Sequence, residues 1–402
     1  MEATSKSNGG ILDGIRILDL SRVMSGPFCT SMLADLGAQV IKIEMPGYGD
    51  EGRSFGPFEQ DESTYFMLLN RNKKSMTVNM KTDEGRDLIK ALIPKCDVLV
   101  ENFRPGVMAR LGLDEPAVRK LNPTMVYTSI SGFGQDSPLK NWPAFDLVIQ
   151  AMSGIMSLTG PKGGPPTAVG ESVADVCTGM FAAFGTVAAL FDRERTGQGR
   201  HVDVAMLDSL MSMQLTGLAR QLYFDDTPKP VGNRHPVTYP VDSFATKTGD
   251  IVMVCFADKL VGELGKLIGH PDLASDPRFA TNALRNENET ALYDLIAEWT
   301  QSVTQDEAVD LLVGAGIPAA PVWSLKQLAE SDHTAARNMI LQGHHRKLGT
   351  VPLVPQPVKF SGDQPTPQFT TPQLGEHTEE ILKAIAQLSD EDIAALRAKN
   401  AI

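Results

Sequence analysis

The sequence predicts an α/β protein, with a Rossmann-like parallel sheet in a large domain and a smaller α+β domain. Short apolar segments alternate with helical segments through residues 1–200, as in parallel strands joined by crossover helices. The chain has 402 residues. A chain of this length usually folds into two or more domains, because a single hydrophobic core does not grow to that size. From residue 225 the alternation gives way to a predicted strand pair and helices with proline-rich connections. We therefore expect a large domain beginning with 1–200, a small domain over 225–315 and a C-terminal segment, 320–402.

The first crossover unit is the clearest part of the pattern. Ile15–Leu20 is an apolar strand candidate, and Ser25-Gly26-Pro27 follows it as a turn with proline at or near the first helical position. Phe28–Leu36 is then a predicted helix that ends before Gly37, and Ala38–Glu44 is the next strand. Two strands joined through one helix over so few residues indicate parallel pairing.

The alternation continues along the chain, and its loops are candidate ligand sites. The further elements are a strand at Ser75–Asn79, a helix at Thr82–Ile93, strands at Asp97–Glu101 and Met125–Ile130, a strand pair within Ser243–Cys255 and a C-terminal helical segment at Thr378–Ala398. Open α/β sheets bind ligands beyond the carboxyl ends of their strands. Those loops are 22–26, 45–49, 102–106 and 131–135.

Composition excludes several classes of protein. Hydrophobic residues make up 42% and charged residues 21%, and the net charge is −12, which disfavours nucleic-acid binding because no basic field attracts phosphates. The four cysteines, Cys29, Cys96, Cys177 and Cys255, form no CxxC pair and indicate reduced intracellular thiols. The polar residues 1–10 predict a disordered start and no signal peptide. The longest apolar stretch, Gly179–Phe191, is too short to span a bilayer. We predict a cytoplasmic protein without membrane attachment.

Asp175 is the candidate nucleophile. It opens a predicted helix within 170–185, and a helix N-terminus favours an ionised carboxylate. A carboxylate nucleophile must be ionised to attack. Small residues repeat at helical spacing after it and would let another backbone approach closely; they are Gly179, Ala182, Ala183, Thr186 and Ala189. The alternative interpretation is that Asp175 is only an N-cap.

Two segments are candidates for contacts with a phosphorylated ligand. The run 70–75 carries three cations before a predicted strand, and Lys81 follows that strand, which is typical either of a phosphate contact or of a solvated loop face. After the strand that ends at Glu101, an amide, an aromatic ring and a guanidinium (Asn102, Phe103 and Arg104) would suit an adenine and its phosphates. The glycine fingerprints of dinucleotide and P-loop sites are missing, so NAD, FAD and a P-loop are disfavoured.

Several segments resemble the class III CoA-transferases in order and spacing. They are 14–27, 34–44, 70–74, 100–106 and 195–206, and the similarity extends to 315–322 and over nearly the whole chain. The resemblance implies that segment 320–402 rejoins the large domain and that two chains interlock as a homodimer. It also implies an acyl-CoA and a free carboxylic acid as substrates, with no metal or redox cofactor.

Carried over residue by residue, the resemblance makes Asp175 the aspartate nucleophile. The CoA contacts fall on Arg22, Met24, Met45, Val78, Lys81, Asn102, Phe103, Arg104, Arg110, Phe145 and Asp146. Met24 stands where the family's formyl-CoA transferases have a glutamine, and Phe145 stands where they have a tyrosine. These departures disfavour oxalate and formate as substrates.

The predicted function is transfer of CoA from an acyl-CoA, succinyl-CoA by preference, to a short dicarboxylic acid. The route would pass through an aspartyl anhydride and an aspartyl-CoA thioester. Arg234 and His235 could pair with a distal substrate carboxylate. The helix start at Val176–Cys177, or Gly232 and its neighbours, could supply oxyanion donors.

Two alternatives stay open. A 2-methylacyl-CoA racemase of the same fold exchanges an α-proton and needs an acid/base pair. Its family pattern has a histidine before an aspartate, whereas this chain has Ala144 and Phe145 before Asp146. A CoA-binding or scaffold protein without turnover is the alternative of another class, and the presence of Asp175 disfavours it.

Overall fold

The computed structural model describes residues 10–361 and 369–402. The predicted disordered start therefore lies outside the described residues, except for Gly10. The chain divides into two compact units. The large unit comprises Met1–Gly154, Val169–Gln214 and Ala335–Ile402, and the small unit comprises Ile155–Ala168 and Leu215–Thr334.

The strands are β1 (Arg16–Asp19), β2 (Gln39–Glu44), β3 (Phe58–Glu59), β4 (Glu62–Ser63), β5 (Lys73–Thr77), β6 (Val98–Glu101), β7 (Val126–Ser131), β8 (His201–Ala205), β9 (Val241–Ala245), β10 (Asp250–Val254), β11 (Ala319–Pro321), β12 (Leu341–His345), β13 (Gly349–Leu353) and β14 (Thr370–Thr371). The helices are α1 (Ser25–Asp35), α2 (Thr64–Leu69), α3 (Asp83–Leu92), α4 (Val107–Leu111), α5 (Glu115–Leu121), α6 (Asp146–Met152), α7 (Ile155–Leu158), α8 (Val173–Thr196), α9 (Met206–Ser212), α10 (Leu215–Phe224), α11 (Asp258–Leu267), α12 (Asn282–Glu287), α13 (Glu289–Thr300), α14 (Gln305–Gly314), α15 (Leu325–Glu330), α16 (Asp332–Ala336), α17 (Thr378–Ala384) and α18 (Asp390–Ala398).

A six-stranded sheet in the order β5-β2-β1-β6-β7-β8 forms the centre of the large unit. Every pair in it is parallel, which confirms the predicted α/β class. The strand order reverses beside β1, because β2 pairs on one side of it and β6 on the other. A crevice at such a switch point is where open α/β sheets bind ligands. The loops after β1 and β6 therefore flank the expected site.

Helix α8 packs closely against α1, and its small residues make this possible. A Cβ added to Gly179 would lie 2.7 Å from the carbonyl oxygen of Ser25 and 3.0 Å from the ring of Phe28, so no larger residue fits there. The helix has 24 residues, longer than the apolar stretch seen in the sequence. Its length and composition would suffice to cross a membrane, but half of its most apolar window is buried within the protein. Its small residues pack in the core of the large unit, and its other face is exposed.

The small unit is built on the antiparallel sheet β9-β10-β11. Its limits differ from the expected range 225–315 at both ends. Residues 155–168 belong to it, because Gly232 donates a backbone hydrogen bond to Gly160 and Lys162 pairs with Glu289. The stretch after 315 belongs to it as well, because β11 pairs with β10.

The end of the chain packs on the outer strand of the large sheet. His377 donates its backbone N–H to the Ser75 carbonyl oxygen, and the backbone N–H of Thr77 donates to the Thr378 hydroxyl at 3.0 Å. The helical segment predicted as one piece is two helices, α17 and α18. A capping box at Ser389 starts the second of them.

Candidate active site

Asp175 lies in the first turn of α8, and another aspartate caps that helix. Oδ1 of Asp146 accepts the backbone N–H groups of Ala174 at 2.7 Å and of Asp175 at 3.3 Å. Gln150 holds the other oxygen of Asp146 at 2.7 Å. Because Asp146 satisfies the free N–H groups at this helix end, the carboxylate of Asp175 is not needed as a cap.

The surroundings of Asp175 make its carboxylate harder to ionise. Burial and the nearby charge of Asp146 raise the pKa of Asp175 from 3.8 to about 6, while hydrogen bonds from the hydroxyl and backbone of Ser25 act in the opposite direction. The charge of Asp175 also contributes, after burial, to the raised pKa of the Tyr65 phenol. Asp175 is therefore partly desolvated, lies at the same pocket as Ser25 and has a pKa of about 6.

Ser25 is the first residue of α1, and Asn102 fixes the loop that leads to it. The Asn102 amide donates to the Arg22 carbonyl oxygen at 2.8 Å and accepts the Arg22 N–H at 2.9 Å. Asn102 comes directly after β6, and Arg22 follows β1 by three residues. The two loops that flank the switch point are thus joined, and α1 presents its N-terminal end to Asp175.

Asp175 lines a pocket with a volume of about 240 Å³ in the large unit. Six of the predicted CoA-binding residues line the same pocket: Arg22, Met24, Asn102, Phe103, Arg104 and Phe145. A neighbouring pocket of about 250 Å³ is lined by Met45, Val78 and Lys81. Arg22, Glu51 and Phe103 border both pockets. The guanidinium of Arg22 lies 5.2 Å from the centre of the Phe103 ring and pairs with Glu51 at 2.5 Å.

Two predicted CoA contacts line neither pocket. Asp146 lies beneath Asp175, where it caps α8. Arg110 is exposed on α4 and lies near Gly106. The sequence analysis did not identify several residues that line the pocket with Asp175, namely Glu51, Phe55, Lys140, Trp142 and Met206. Lys140 and Trp142 stand in the loop after β7, a few residues beyond the stretch 131–135 that strand position had singled out.

The prediction that the basic run 70–75 contacts phosphate is wrong. Arg71 forms a buried ion pair with Asp35, Lys73 one with Asp19, and Lys74 pairs with Glu380. Lys73 is in strand β5 and also donates to the Pro27 carbonyl oxygen at 2.9 Å. Its burial lowers its pKa to about 8. Each of these cations is already paired with a carboxylate, and Arg71 and Lys73 are also buried away from solvent.

The two weaker substrate candidates belong to the small unit. Nε of Arg234 lies 2.8 Å from a carboxylate oxygen of Glu289, and the two form an ion pair. The angle at Nε does not meet the geometry of a hydrogen bond. The same guanidinium also donates to Asn286. Nδ1 of His235 accepts the N–H of Val237 at 3.4 Å. The positive charge of Arg234 is thus balanced inside the unit, and its role toward a substrate stays a prediction.

The suggested oxyanion donors are already engaged. Val176 donates its N–H to the carbonyl oxygen of Ser172, the residue before α8, and Gly232 donates its N–H to the carbonyl oxygen of Gly160 in the small unit. Ser25 lines the pocket together with Asp175, and its backbone and hydroxyl lower the pKa of that carboxyl against the effect of burial. Within the described ranges, no three His, Cys, Asp or Glu side chains cluster so as to hold a metal ion, and the prediction that no cofactor is needed stays a prediction.

Residues 12–378 match the family described as CoA-transferase family III. The chain is 41% identical over 387 residues to the acetyl-CoA:oxalate CoA-transferase of Acetobacter aceti, covering 96% of this chain and 98% of that protein. It is 36% identical to the succinyl-CoA–D-citramalate CoA-transferase of Chloroflexus aurantiacus, covering 97% and 98%. A solved CAIB/BAIF family protein from Brucella suis matches with a TM-score of 0.84 at 34% identity, covering 94% of this chain and 100% of that one.

Proposed function

We propose that this chain, which belongs to CoA-transferase family III, moves CoA from succinyl-CoA to a short dicarboxylic acid with Asp175 as the nucleophile. That the chain is a CoA-transferase follows from the family and its relatives. One observation carries the proposed role of Asp175. Its partly desolvated carboxylate lines the same pocket as six of the residues expected to contact CoA.

The proposed reaction begins when the Asp175 carboxylate attacks the thioester carbonyl. A mixed anhydride forms and CoA leaves as a thiolate. The thiolate then attacks the aspartyl carbonyl, which releases the donor acid and leaves CoA bound to Asp175 as a thioester. The acceptor carboxylate displaces CoA to give a second anhydride. Attack of the thiolate on the acceptor carbonyl yields the new acyl-CoA and restores the aspartate.

The start of α1 supports each carbonyl addition in this scheme. Every addition places negative charge on an oxygen, and preorganised N–H donors stabilise such charge. The backbone of Ser25 lies at Asp175, and the N-terminal end of α1 adds a favourable dipole. We assign Ser25 as an oxyanion donor on the aspartyl side.

The cations and the ring around the pocket suit a CoA thioester. Arg22 is paired with Glu51 and lies over the ring of Phe103. The guanidinium of Arg22 and the ring of Phe103 therefore form a flat surface on which a planar base can stack. Arg104 and Lys140 line the pocket, and among the ion pairs of the described residues neither takes part. Two unengaged cations on an otherwise acidic protein would attract the CoA phosphates.

The choice of acids rests on the relatives. Oxalate and D-citramalate, named for two of them, are both dicarboxylates, and this supports a dicarboxylate acceptor. Their named donors differ, acetyl-CoA in one and succinyl-CoA in the other. The argument from Met24 and Phe145 against oxalate and formate stays a prediction, and it leads us to favour a longer acid with succinyl-CoA.

We also propose a cytoplasmic homodimer. Helix α8 exposes an apolar stripe at helical spacing, formed by Met180, Phe184, Val187 and Phe191, of which Phe184 is 73% and Phe191 67% exposed. A stripe of this kind marks an interaction surface. A second copy of the chain, as the family resemblance implies, would cover it.

The racemase alternative finds no support in the pocket. Among the described residues that line it there is no histidine, and Ala144 and Phe145 lie where the racemase pattern places its base. Their side chains have no group that takes up a proton.

Acyl exchange in D₂O tests the proposed function. Purified protein would be mixed with succinyl-CoA, acetyl-CoA and a branched acyl-CoA, together with free itaconate, mesaconate, oxalate and carnitine, and followed by mass spectrometry. The proposal predicts a new acyl-CoA without deuterium, which also identifies the acceptor. Deuterium at the α-carbon of an otherwise unchanged thioester would establish the racemase instead.

A further inference from the structure

The loop between β1 and α1 contains a strained residue close to the nucleophile. Val23 has a φ of 65°, in the left-handed region that a β-branched side chain seldom adopts. Two residues later, Ser25 lines the same pocket as Asp175. A residue keeps such a conformation only where its surroundings impose it. The groups that hold Val23 at this φ therefore also fix the position at which α1 begins.

Three polar side chains from three segments hold three successive residues of this loop. Nζ of Lys42 donates to the carbonyl oxygen of Ser21 at 2.9 Å. Asn102 bonds both backbone groups of Arg22. Asp50 accepts the backbone N–H of Val23, with its two oxygens at 3.0 and 3.3 Å.

Two of these three groups form a buried ion pair with each other. Nζ of Lys42 lies 2.8 Å from Oδ2 of Asp50, and both side chains are almost fully buried. Asp50 is further fixed through its own N–H, which donates to Glu44 at 3.1 Å. Neither Lys42 nor Asp50 lines the pocket that contains Asp175, and Asp50 alone of the two borders the neighbouring pocket. A buried ion pair by itself is weak evidence of stabilisation, and the placement of this pair on the loop suggests another purpose.

We propose that the buried Lys42–Asp50 pair is a positioning device for catalysis. It holds Val23 in the left-handed conformation, so that α1 begins with Ser25 beside Asp175 at the pocket that both residues line. Lys42 and Asp50 do not touch the reacting atoms and act through Val23 and Ser25. The inference rests on the proposed role of Asp175 as nucleophile.

A rescue experiment separates positioning from plain stability. Asp50→Ala removes the acceptor for the Val23 N–H, and Val23→Gly removes the strain, because glycine adopts positive φ about as readily as negative φ. The variants are Asp50→Ala, Val23→Gly and the double variant. The assay is exchange of ¹³C-succinate into succinyl-CoA, or of ¹³C-acetate into acetyl-CoA if acetyl-CoA is the donor, per folded molecule.

We expect Asp50→Ala to lower kcat by about 100-fold, the size of effect that a small misplacement of a catalytic group produces. Its KM for the thioester should change far less. The double variant should recover about tenfold of the loss, since a glycine no longer needs to be held. In Asp50→Ala the acid limb of the pH profile should also move to higher pH, because Ser25 no longer favours the ionised carboxylate while Asp146 and Tyr65 still face it.

Asp35→Asn is the matched control. It removes the charge of another buried pair, that with Arg71, which lies outside the loop and the pocket. It should lower the melting temperature and leave kcat per folded molecule unchanged. If Asp50→Ala does not fold, Asp50→Asn with and without Val23→Gly replaces it under the same criteria.

The outcomes distinguish the two proposals. A parental kcat in Asp50→Ala, or a double variant no more active than Asp50→Ala, overturns the positioning role. Activity in Asp175→Asn overturns the nucleophile itself, whatever the Asp50 variants show. An inactive Asp175→Asn together with rescue by Val23→Gly supports both.

Discussion

Replacing Asp175 with asparagine should abolish CoA transfer and at the same time stabilise the folded protein above neutral pH. The folded environment raises the pKa of Asp175 from 3.8 to about 6, so ionising this group in the folded state costs more than in the unfolded chain. A shift of roughly two units corresponds to about 3 kcal/mol at 1.36 kcal/mol per unit. Because Asp175 is partly exposed, we reduce this to about 1–3 kcal/mol.

The sign of the effect fixes its pH dependence. A carboxylate with a raised folded pKa destabilises the protein fully above that pKa, and the penalty fades as the pH falls from about 6 toward 3.8. Asp175→Asn should therefore increase the free energy of unfolding most at pH 8 and by about a third as much at pH 4.5, where the carboxyl is still largely ionised in the unfolded chain. Urea denaturation followed by circular dichroism at the two pH values measures this.

A surface aspartate provides the control for this prediction. Asp83 lies in the first turn of α3 and pairs with Arg86 on the exposed face. Asp83→Asn should give a small loss of stability at pH 8 and no gain. A gain for Asp175→Asn that is equal at both pH values, or no gain at pH 8, would show that the carboxylate is not strained by its surroundings.

Three further predictions follow from the site. Asp146→Asn keeps an acceptor for the start of α8 but removes the like charge, so the acid limb of kcat/KM, expected near pH 6, should move to lower pH when rates are measured from pH 5 to 8. Glu101 accepts the Phe103 N–H at 2.8 Å; Glu101→Ala should raise the KM for the CoA thioester by roughly tenfold, the value of one such hydrogen bond, and Glu101→Gln should stay near the parent. Gly179→Ala would place a Cβ 2.7 Å from a carbonyl oxygen of α1 and should lower the free energy of unfolding by about 1–3 kcal/mol. Gly262 is a helical glycine with room for a methyl group, so Gly262→Ala should leave the stability unchanged. Thermal melting of the two variants measures the difference.

Local patterns in the sequence predicted five of the six strands of the central sheet and missed β8 at its edge. The β1–α1–β2 unit forms as predicted, because its strands are short apolar runs and the left-handed Gly37 (φ 103°) ends the helix. Helix α1 starts earlier than predicted, at Ser25. That residue cannot be identified as a helix start from its neighbours, since the loop before it is held by side chains from 42, 50 and 102.

One wrong prediction and two that stay predictions concern residues that pair with partners distant in sequence. Lys73 looked like a phosphate ligand because its partner, Asp19, is 54 positions away. Arg234 looked free because Glu289 lies in a later helix. Asp146 was assigned to CoA, although its position beneath α8 depends on how α6 packs there. A charged residue shows its type in the sequence, but only the fold shows whether its charge is already balanced.

The most direct test of the account is the transfer of oxygen from the acceptor to the enzyme. In the proposed scheme the bridging oxygen of the second anhydride comes from the acceptor acid and stays on Asp175. After turnover with an ¹⁸O-labelled acceptor carboxylate, the tryptic peptide 163–193 should gain about 2 Da per oxygen, and fragmentation should place the label on Asp175. The label should appear only when an acyl-CoA donor is also present. Continued formation of acyl-CoA with no label on Asp175, or with label on another carboxylate, would contradict its role as the nucleophile.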